Sequence, residues 1–101
     1  MLAETEWAGG HADQARQILK SLAELYRQEG RKDLAIGRAR RLAELSQEDP
    51  ETQDYLATLM AEADRLEEAI EIWRALAERQ AREGNIDDAL FRYTRILELL
   101  P

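Results

Sequence analysis

Apolar residues in this chain recur three and four positions apart over most of its length. The clearest stretches are Leu19, Leu22, Ala23 and Tyr26, and Ala69, Ile72, Trp73, Leu76 and Ala77. Residues at this spacing share one face of an α-helix, so the pattern predicts amphipathic helices. We expect helices at about 11–29, 31–47, 51–63, 65–83 and 86–99, after an N-terminal helical stub that ends near Ala8.

Turn-forming residues separate these stretches at regular intervals. Each stands eight residues after a leucine: Gly10, Gly30, Pro50, Asp64 and Gly84. Glycine and proline are typical of the ends of helices, so a chain reversal is predicted at each position.

Three helix starts carry capping patterns. The segment 49–51, Asp-Pro-Glu, predicts an N-cap followed by proline at the first helical position. Residues 64–67 have the spacing of a capping box, and residues 85–88 repeat that spacing less closely.

The chain also repeats itself. A shift of 54 residues gives thirteen identities over about thirty-five positions, and "LAE" occurs at Leu2, Leu22, Leu42 and Leu76. Helices joined by turns this short lie antiparallel, and one helical hairpin cannot bury its apolar face alone. We therefore predict one all-α domain of stacked antiparallel hairpins over residues 1–101, an α-solenoid of about five helices plus the stub. Its units are 11–47, 51–83 and 86–100, with a partial unit at 1–10.

The spacing resembles the tetratricopeptide repeat. One window runs Trp73, Leu76, Ala77, Gln80, Gly84, Ala89, Tyr93, Ile96 and Pro101, with Gln80 in place of the family's tyrosine. A second runs Leu19, Leu22, Ala23, Tyr26, Gly30, Ala35, Ala39 and Leu42, and a weaker third runs Leu56, Ala57, Met60, Asp64, Ala69, Trp73 and Leu76. The windows overlap, which departs from the family's period of thirty-four. The resemblance covers residues 16–101 and implies a right-handed superhelix.

The resemblance also implies a function. Such repeats hold a peptide or a partner's helix in a concave groove, which makes this chain a noncatalytic scaffold or adaptor. The positions that match family ligand positions are Lys20, Glu24, Arg27 and Gln28 in one window and Asp54, Tyr55, Thr58 and Glu62 in another. The family's carboxylate clamp is expected to be absent, because Glu24 and Tyr55 stand where it needs asparagine.

Charge narrows the class of partner. The net charge is −7, which disfavours nucleic acid and anionic lipid because both attract basic surfaces. Residues 31–41 carry five basic side chains against one acid, whereas residues 44–71 carry ten acids against Arg65 alone. The acidic stretch could receive a basic peptide or pair with the basic stretch of another copy. With no long apolar run and no secretory pattern, we expect no membrane insertion and a cytoplasmic location.

Candidate chemistry is sparse. His11 is the only histidine and the chain has no cysteine, so no metal site is expected. The carboxylate pairs at 67–68 and 87–88 open predicted helices, where the helix dipole accounts for them. We therefore predict no enzyme and no cofactor.

Aromatic residues divide into two groups. Tyr26, Trp73 and Tyr93 occupy stripe positions and are predicted to be core residues. Trp7, Tyr55 and Phe91 lie off the stripes, so they are candidates for contacts with a partner.

The ends of the predicted stack form a second candidate surface. Leu97 and Leu100 belong to a C-terminal segment with more apolar residues than one inward stripe needs, and the N-terminal part holds Trp7. Three explanations stay open: a fragment of a longer repeat protein, docking on a partner, or head-to-tail stacking of copies. The last makes a self-assembling structural protein, natural or engineered, the alternative function.

Overall fold

The computed structural model describes residues 11–100 of the chain, and all regular structure in this part is helical. The five helices are α1 (Ala12–Gln28), α2 (Lys32–Leu45), α3 (Pro50–Glu62), α4 (Leu66–Arg82) and α5 (Ile86–Leu99). The predicted all-α class is confirmed, and the predicted helix bounds agree to within two residues. The stub predicted for 1–10, with Trp7, lies outside the described residues.

Each helix packs against the helices that precede and follow it in the chain, and against no others among the five. Long side chains nevertheless connect alternate helices. Arg27 of α1 pairs with Glu62 of α3, and Arg40 of α2 lies 3.6 Å from Glu68 of α4. The helices therefore form two layers, with α1, α3 and α5 in one and α2 and α4 in the other. This neighbour-to-neighbour packing is consistent with a helical repeat.

Alanine dominates the contacts between helices. Of the sixteen buried apolar residues in the described part, eight are alanines: Ala23, Ala35, Ala39, Ala43, Ala57, Ala69, Ala77 and Ala89. Trp73 is the only large side chain among them that is fully buried. A small residue beside a large one lets two helices approach closely while the large side chain fills the space between them.

Three turns share one backbone geometry. Gly30, Asp64 and Gly84 all have positive φ, at 77°, 62° and 85°. At each turn the following residue donates its N–H to a carbonyl five positions back, as Asn85 does to Gln80 at 2.8 Å. This is the Schellman arrangement, which satisfies the last carbonyl groups of a helix and reverses the chain.

The predicted caps are right at one helix and wrong at two. The Asp49 carboxylate accepts from the N–H of Glu51 at 3.1 Å, which confirms the N-cap of α3. The predicted capping boxes are wrong, because Arg65 and Asn85 are the N-cap residues of α4 and α5 and neither makes a side-chain cap hydrogen bond. Asp64 instead takes the left-handed turn position that ends α3.

Two glycine-to-alanine substitutions should change stability in opposite directions. A Cβ at Gly84 or at Gly37 would meet no atom within 4 Å, so the backbone alone decides the outcome. Gly84→Ala places an L-residue at positive φ and should lower the free energy of unfolding by about 1–2 kcal/mol. Gly37→Ala, inside α2, should raise it by about 0.5–1 kcal/mol. Urea unfolding monitored by circular dichroism measures both, and equal effects of the two changes would contradict the turn geometry.

Candidate functional site

A cleft of about 490 Å³ lies on the layer formed by α1, α3 and α5. We call it the Tyr55 cleft, and its lining residues are Lys20, Leu42, Asp49, Glu51, Thr52, Asp54, Tyr55, Thr58 and Arg92. Four of the eight predicted partner-binding residues line it: Lys20, Asp54, Tyr55 and Thr58. The structure thus brings together residues from α1 and α3 that lie more than thirty positions apart in the chain.

Of the other four predicted residues, Glu24 and Glu62 both bind Arg27, and Gln28 is exposed. The Arg27 Nε donates to a Glu62 carboxylate oxygen at 2.9 Å, a second guanidinium nitrogen contacts the other oxygen, and Glu24 lies 3.5 Å away. The hydrogen bond to Glu62 raises the pKa of Arg27 above its ordinary value. These side chains are more than a third exposed, so the pair is worth about 0.2–1 kcal/mol. They join α1 to α3 beside the cleft.

Asp54 and Thr58 are also engaged within the protein. The indole N–H of the buried Trp73 donates to the Asp54 carboxylate at 2.7 Å, and the Arg92 guanidinium lies 3.6 Å from the same oxygen. The Thr58 hydroxyl donates to the backbone carbonyl of Asp54 at 2.8 Å. Asp54 therefore connects the core to the wall of the cleft.

Tyr55 is the most perturbed group of the cleft. Its hydroxyl is buried and makes no hydrogen bond of regular geometry in the described part, although the Glu24 carboxylate lies near enough to interact with it. Burial, and next the negative charge of Glu24, raise the pKa of Tyr55 to about 12. The Nε of Arg92 is likewise buried without a partner in the described part. Two residues of the cleft lining therefore carry a buried donor without a regular acceptor in the described part, the Tyr55 hydroxyl and the Arg92 Nε.

A second groove, of about 640 Å³, lies on the opposite side of the protein, on the layer formed by α2 and α4. The sequence did not predict this groove. Its apolar lining includes Leu56, Met60, Ile72 and Leu76, and its charged lining consists of Arg40, Glu68, Glu71, Arg79 and Arg82. No sequence signal marks the groove, because its residues come from α2, the turn after α2, α3 and α4 and form no motif along the chain. The Arg79 guanidinium donates to the carbonyls of Gln47 and Glu48 at 3.2 and 3.3 Å and so fixes one end of the groove.

The carboxylate pairs lie where the helix dipole favours negative charge. Glu67 and Glu68 are in the first turn of α4, and Asp87 and Asp88 are in the first turn of α5. Residues 11–100 contain no group of three or more carboxylate, histidine or cysteine side chains arranged to hold a metal ion. Nor is any helix in this range long and apolar enough to cross a bilayer.

Three aromatic residues and the C-terminal leucines are placed as follows. Trp73 is buried and Tyr26 packs against the core cluster, but Tyr93 is 40% exposed, so its predicted core position is wrong. Leu97 and Leu100, the predicted self-association residues, are exposed.

Comparison with known proteins adds no relative: neither the family models nor the curated proteins contain a match to this chain. The tetratricopeptide resemblance thus depends on residue spacing alone and stays a prediction.

Because the Tyr55 hydroxyl is buried, it should lose its proton at a higher pH than an ordinary tyrosine. Because the folded protein raises its pKa to about 12 from 10.0, the unfolded chain releases this proton first as the pH rises. The contribution of Tyr55 to stability is therefore complete below pH 10 and is lost as the pH rises through 12. Tyrosinate absorbance should show a phase near pH 12 that Tyr55→Phe removes. The absence of this phase, while the helical circular dichroism signal persists, would contradict the burial.

The bond between Trp73 and Asp54 predicts a graded loss of stability. Asp54→Ala leaves the buried indole N–H without an acceptor and should lower the free energy of unfolding by about 1–3 kcal/mol. Asp54→Asn keeps an acceptor oxygen at the same place, so it should cost less than half as much. Urea unfolding followed by tryptophan fluorescence separates the two variants, and equal losses would show that the hydrogen bond is unimportant.

Proposed function

We propose that this protein is a noncatalytic interaction module of the cytoplasm that binds a segment of a partner protein in the Tyr55 cleft. The observation that carries the proposal is the Tyr55 cleft itself, whose lining includes two side chains with buried donors that lack a regular acceptor in the described part, the Tyr55 hydroxyl and the Arg92 Nε. A buried donor without an acceptor costs about 1–3 kcal/mol. A segment that supplies acceptors removes this cost on binding, after a side-chain rotation turns each donor towards the cleft.

An extended peptide provides acceptors of the required kind. Its backbone carbonyl groups repeat along the chain, and they remain available when the peptide lies in a groove. The placement of Lys20, Asp54, Tyr55 and Thr58 at one cleft supports a tetratricopeptide-like site on the first helix of each pair, as the family resemblance implies.

The charges of the cleft favour a basic side chain on the partner. Asp49, Glu51 and Asp54 line it together with two cations, Lys20 and Arg92. The charges of Arg92 and Asp54 cancel, because the two side chains lie 3.6 Å apart. The remaining charged residues of the lining are Lys20 and two carboxylates, so the cleft has a net negative charge. The exposed Glu51 is the carboxylate best placed to meet a lysine or arginine of the segment.

Selection from a random peptide library displayed on phage tests this proposal. The peptides that the protein enriches are synthesised, and their dissociation constants are measured by isothermal titration calorimetry. Tyr55→Phe should weaken binding by about 0.5–1.5 kcal/mol, the value of one hydrogen bond, without loss of stability. Glu51→Gln should weaken binding of basic peptides, and the loss should shrink at high salt.

Two substitutions are the matched controls. Tyr93→Phe removes a hydroxyl from α5 outside the cleft, and Glu71→Gln removes a carboxylate from the groove on the opposite layer. Both should bind the peptides as the unmodified protein does. The proposal fails if no peptide is enriched, or if Glu71→Gln weakens binding while Tyr55→Phe and Glu51→Gln do not.

A further inference from the structure

Helix α5 carries two apolar stripes, and only one is covered. The inner stripe includes Ala89 and Ile96, which are buried. The outer stripe has the spacing four, three, four on the helix, at Ile86, Leu90, Tyr93 and Leu97, and is continued by Leu100, the extended residue that follows α5; all five are 40–69% exposed. We call it the α5 outer stripe. A soluble helix with one packed face normally exposes polar residues elsewhere, so a stripe of five large apolar residues indicates a second contact.

The internal repeat shows which kind of helix covers such a stripe. A shift of 54 residues places Leu90, Tyr93 and Leu97 on Ile36, Ala39 and Ala43 of α2. In α2 these three are at most 6% exposed, and they share a core cluster with residues of α3. The three central residues of the α5 outer stripe therefore correspond to buried residues of the α2–α3 contact, whereas Ile86 and Leu100 correspond to Lys32 and Ser46.

Helix α1 presents the matching face. Arg31 directly follows the turn that ends α1, and Arg65 directly follows the turn that ends α3. Aligning these two arginines places α1 on α3 with a shift of 34 residues. Ile18 and Leu25 then align with Thr52 and Leu59 of α3. These two residues of α3 are buried, with exposed fractions of 9% and 2%. In α1 the two residues are 59% and 57% exposed, since α1 packs on α2 alone among the five helices.

Charge and size agree with this alignment. Arg65 donates to Asp33 at 2.9 Å at the edge of the α2–α3 contact. The residue equivalent to Asp33 is Asp87 of α5, and the residue equivalent to Arg65 is Arg31, so the two ends carry opposite charges at corresponding positions. Tyr93 of α5 is larger than Ala39, the residue at the equivalent position of α2. The smaller Ser21 of α1 compensates for this difference, because it stands at the position of Tyr55 in α3.

We propose that the α5 outer stripe of one chain docks antiparallel on α1 of a second copy and repeats the α2–α3 contact between molecules. Leu90 packs against Leu25 of the second copy and Leu97 against its Ile18, and Asp87 pairs with its Arg31. The two contacting surfaces are different, so each copy added leaves one free end of each kind and the assembly can lengthen. This contact uses other residues than the Tyr55 cleft and does not depend on peptide binding.

Light scattering over a concentration series from about 10 μM to about 1 mM, the usual range of weak protein association, tests the proposal. The molar mass of the unmodified chain should rise with concentration above the 11.6 kDa of the monomer. Leu97→Asp and Leu25→Asp should each abolish the rise, while circular dichroism shows an unchanged helical content. Phe91→Asp is the matched control, because Phe91 is 54% exposed on α5 but lies outside the stripe.

Mixing the two variants tests the pairing of α5 with α1. Leu97→Asp keeps an intact α1 face and Leu25→Asp keeps an intact α5 outer stripe, so together they should form a 1:1 complex of twice the monomer mass that grows no further. A symmetric pairing of two α5 helices would instead give a dimer of Leu25→Asp alone and no new species on mixing. That result would overturn the head-to-tail contact.

The charge pair provides an independent check. Asp87→Arg and Arg31→Asp should each raise the dissociation constant of the assembly about two- to five-fold, as expected for the loss of an exposed ion pair. In a mixture of the two variants the reversed charges face each other, so the affinity should return to that of the unmodified protein. A mass that stays at 11.6 kDa across the series overturns the proposal and leaves the stripe to a different partner. Loss of assembly in Phe91→Asp as well would also overturn it.

Discussion

Close approach of neighbouring helices at alanine is the constraint on which the rest of the structure depends. Ala23, Ala39, Ala57, Ala69 and Ala77 are completely buried, and they come from four of the five helices. Because alanine has no atom beyond Cβ, the backbones of two helices can pack closely there without a void. A larger residue at these positions would separate the helices and change the spacing of both layers.

Trp73 and Asp54 transmit this packing to the surface. The indole ring is the one large side chain of the described core that solvent does not reach, and its N–H binds a carboxylate at the wall of the Tyr55 cleft. The same carboxylate faces the guanidinium of Arg92 from α5. The core and the cleft are therefore connected: the position of the Trp73 ring determines where the charged groups of Asp54 and Arg92 lie.

The helices were predictable from the sequence because the apolar spacing and the turn glycines both depend on residues close in the chain. The caps were less predictable, since an aspartate such as Asp64 suits either the start of a helix or a left-handed turn, and the next helix decides between them. Lys20 and Tyr55 were expected on one surface only through the resemblance to the tetratricopeptide repeat, whose ligand positions they match. The binding of Arg27 to Glu62 could not, because it depends on the distance between two helices thirty-five residues apart.

Packing limited to chain neighbours also has a consequence for how the protein folds and opens. Contacts formed between adjacent helices join residues that are close in sequence, and chains with such local contacts fold quickly because little loop entropy is lost before they form. The two outer helices, α1 and α5, each have one neighbour among the described helices, whereas α3 has two. Local unfolding therefore starts at the ends and reaches α3 last, so amide protons should exchange slowest in the middle of the stack.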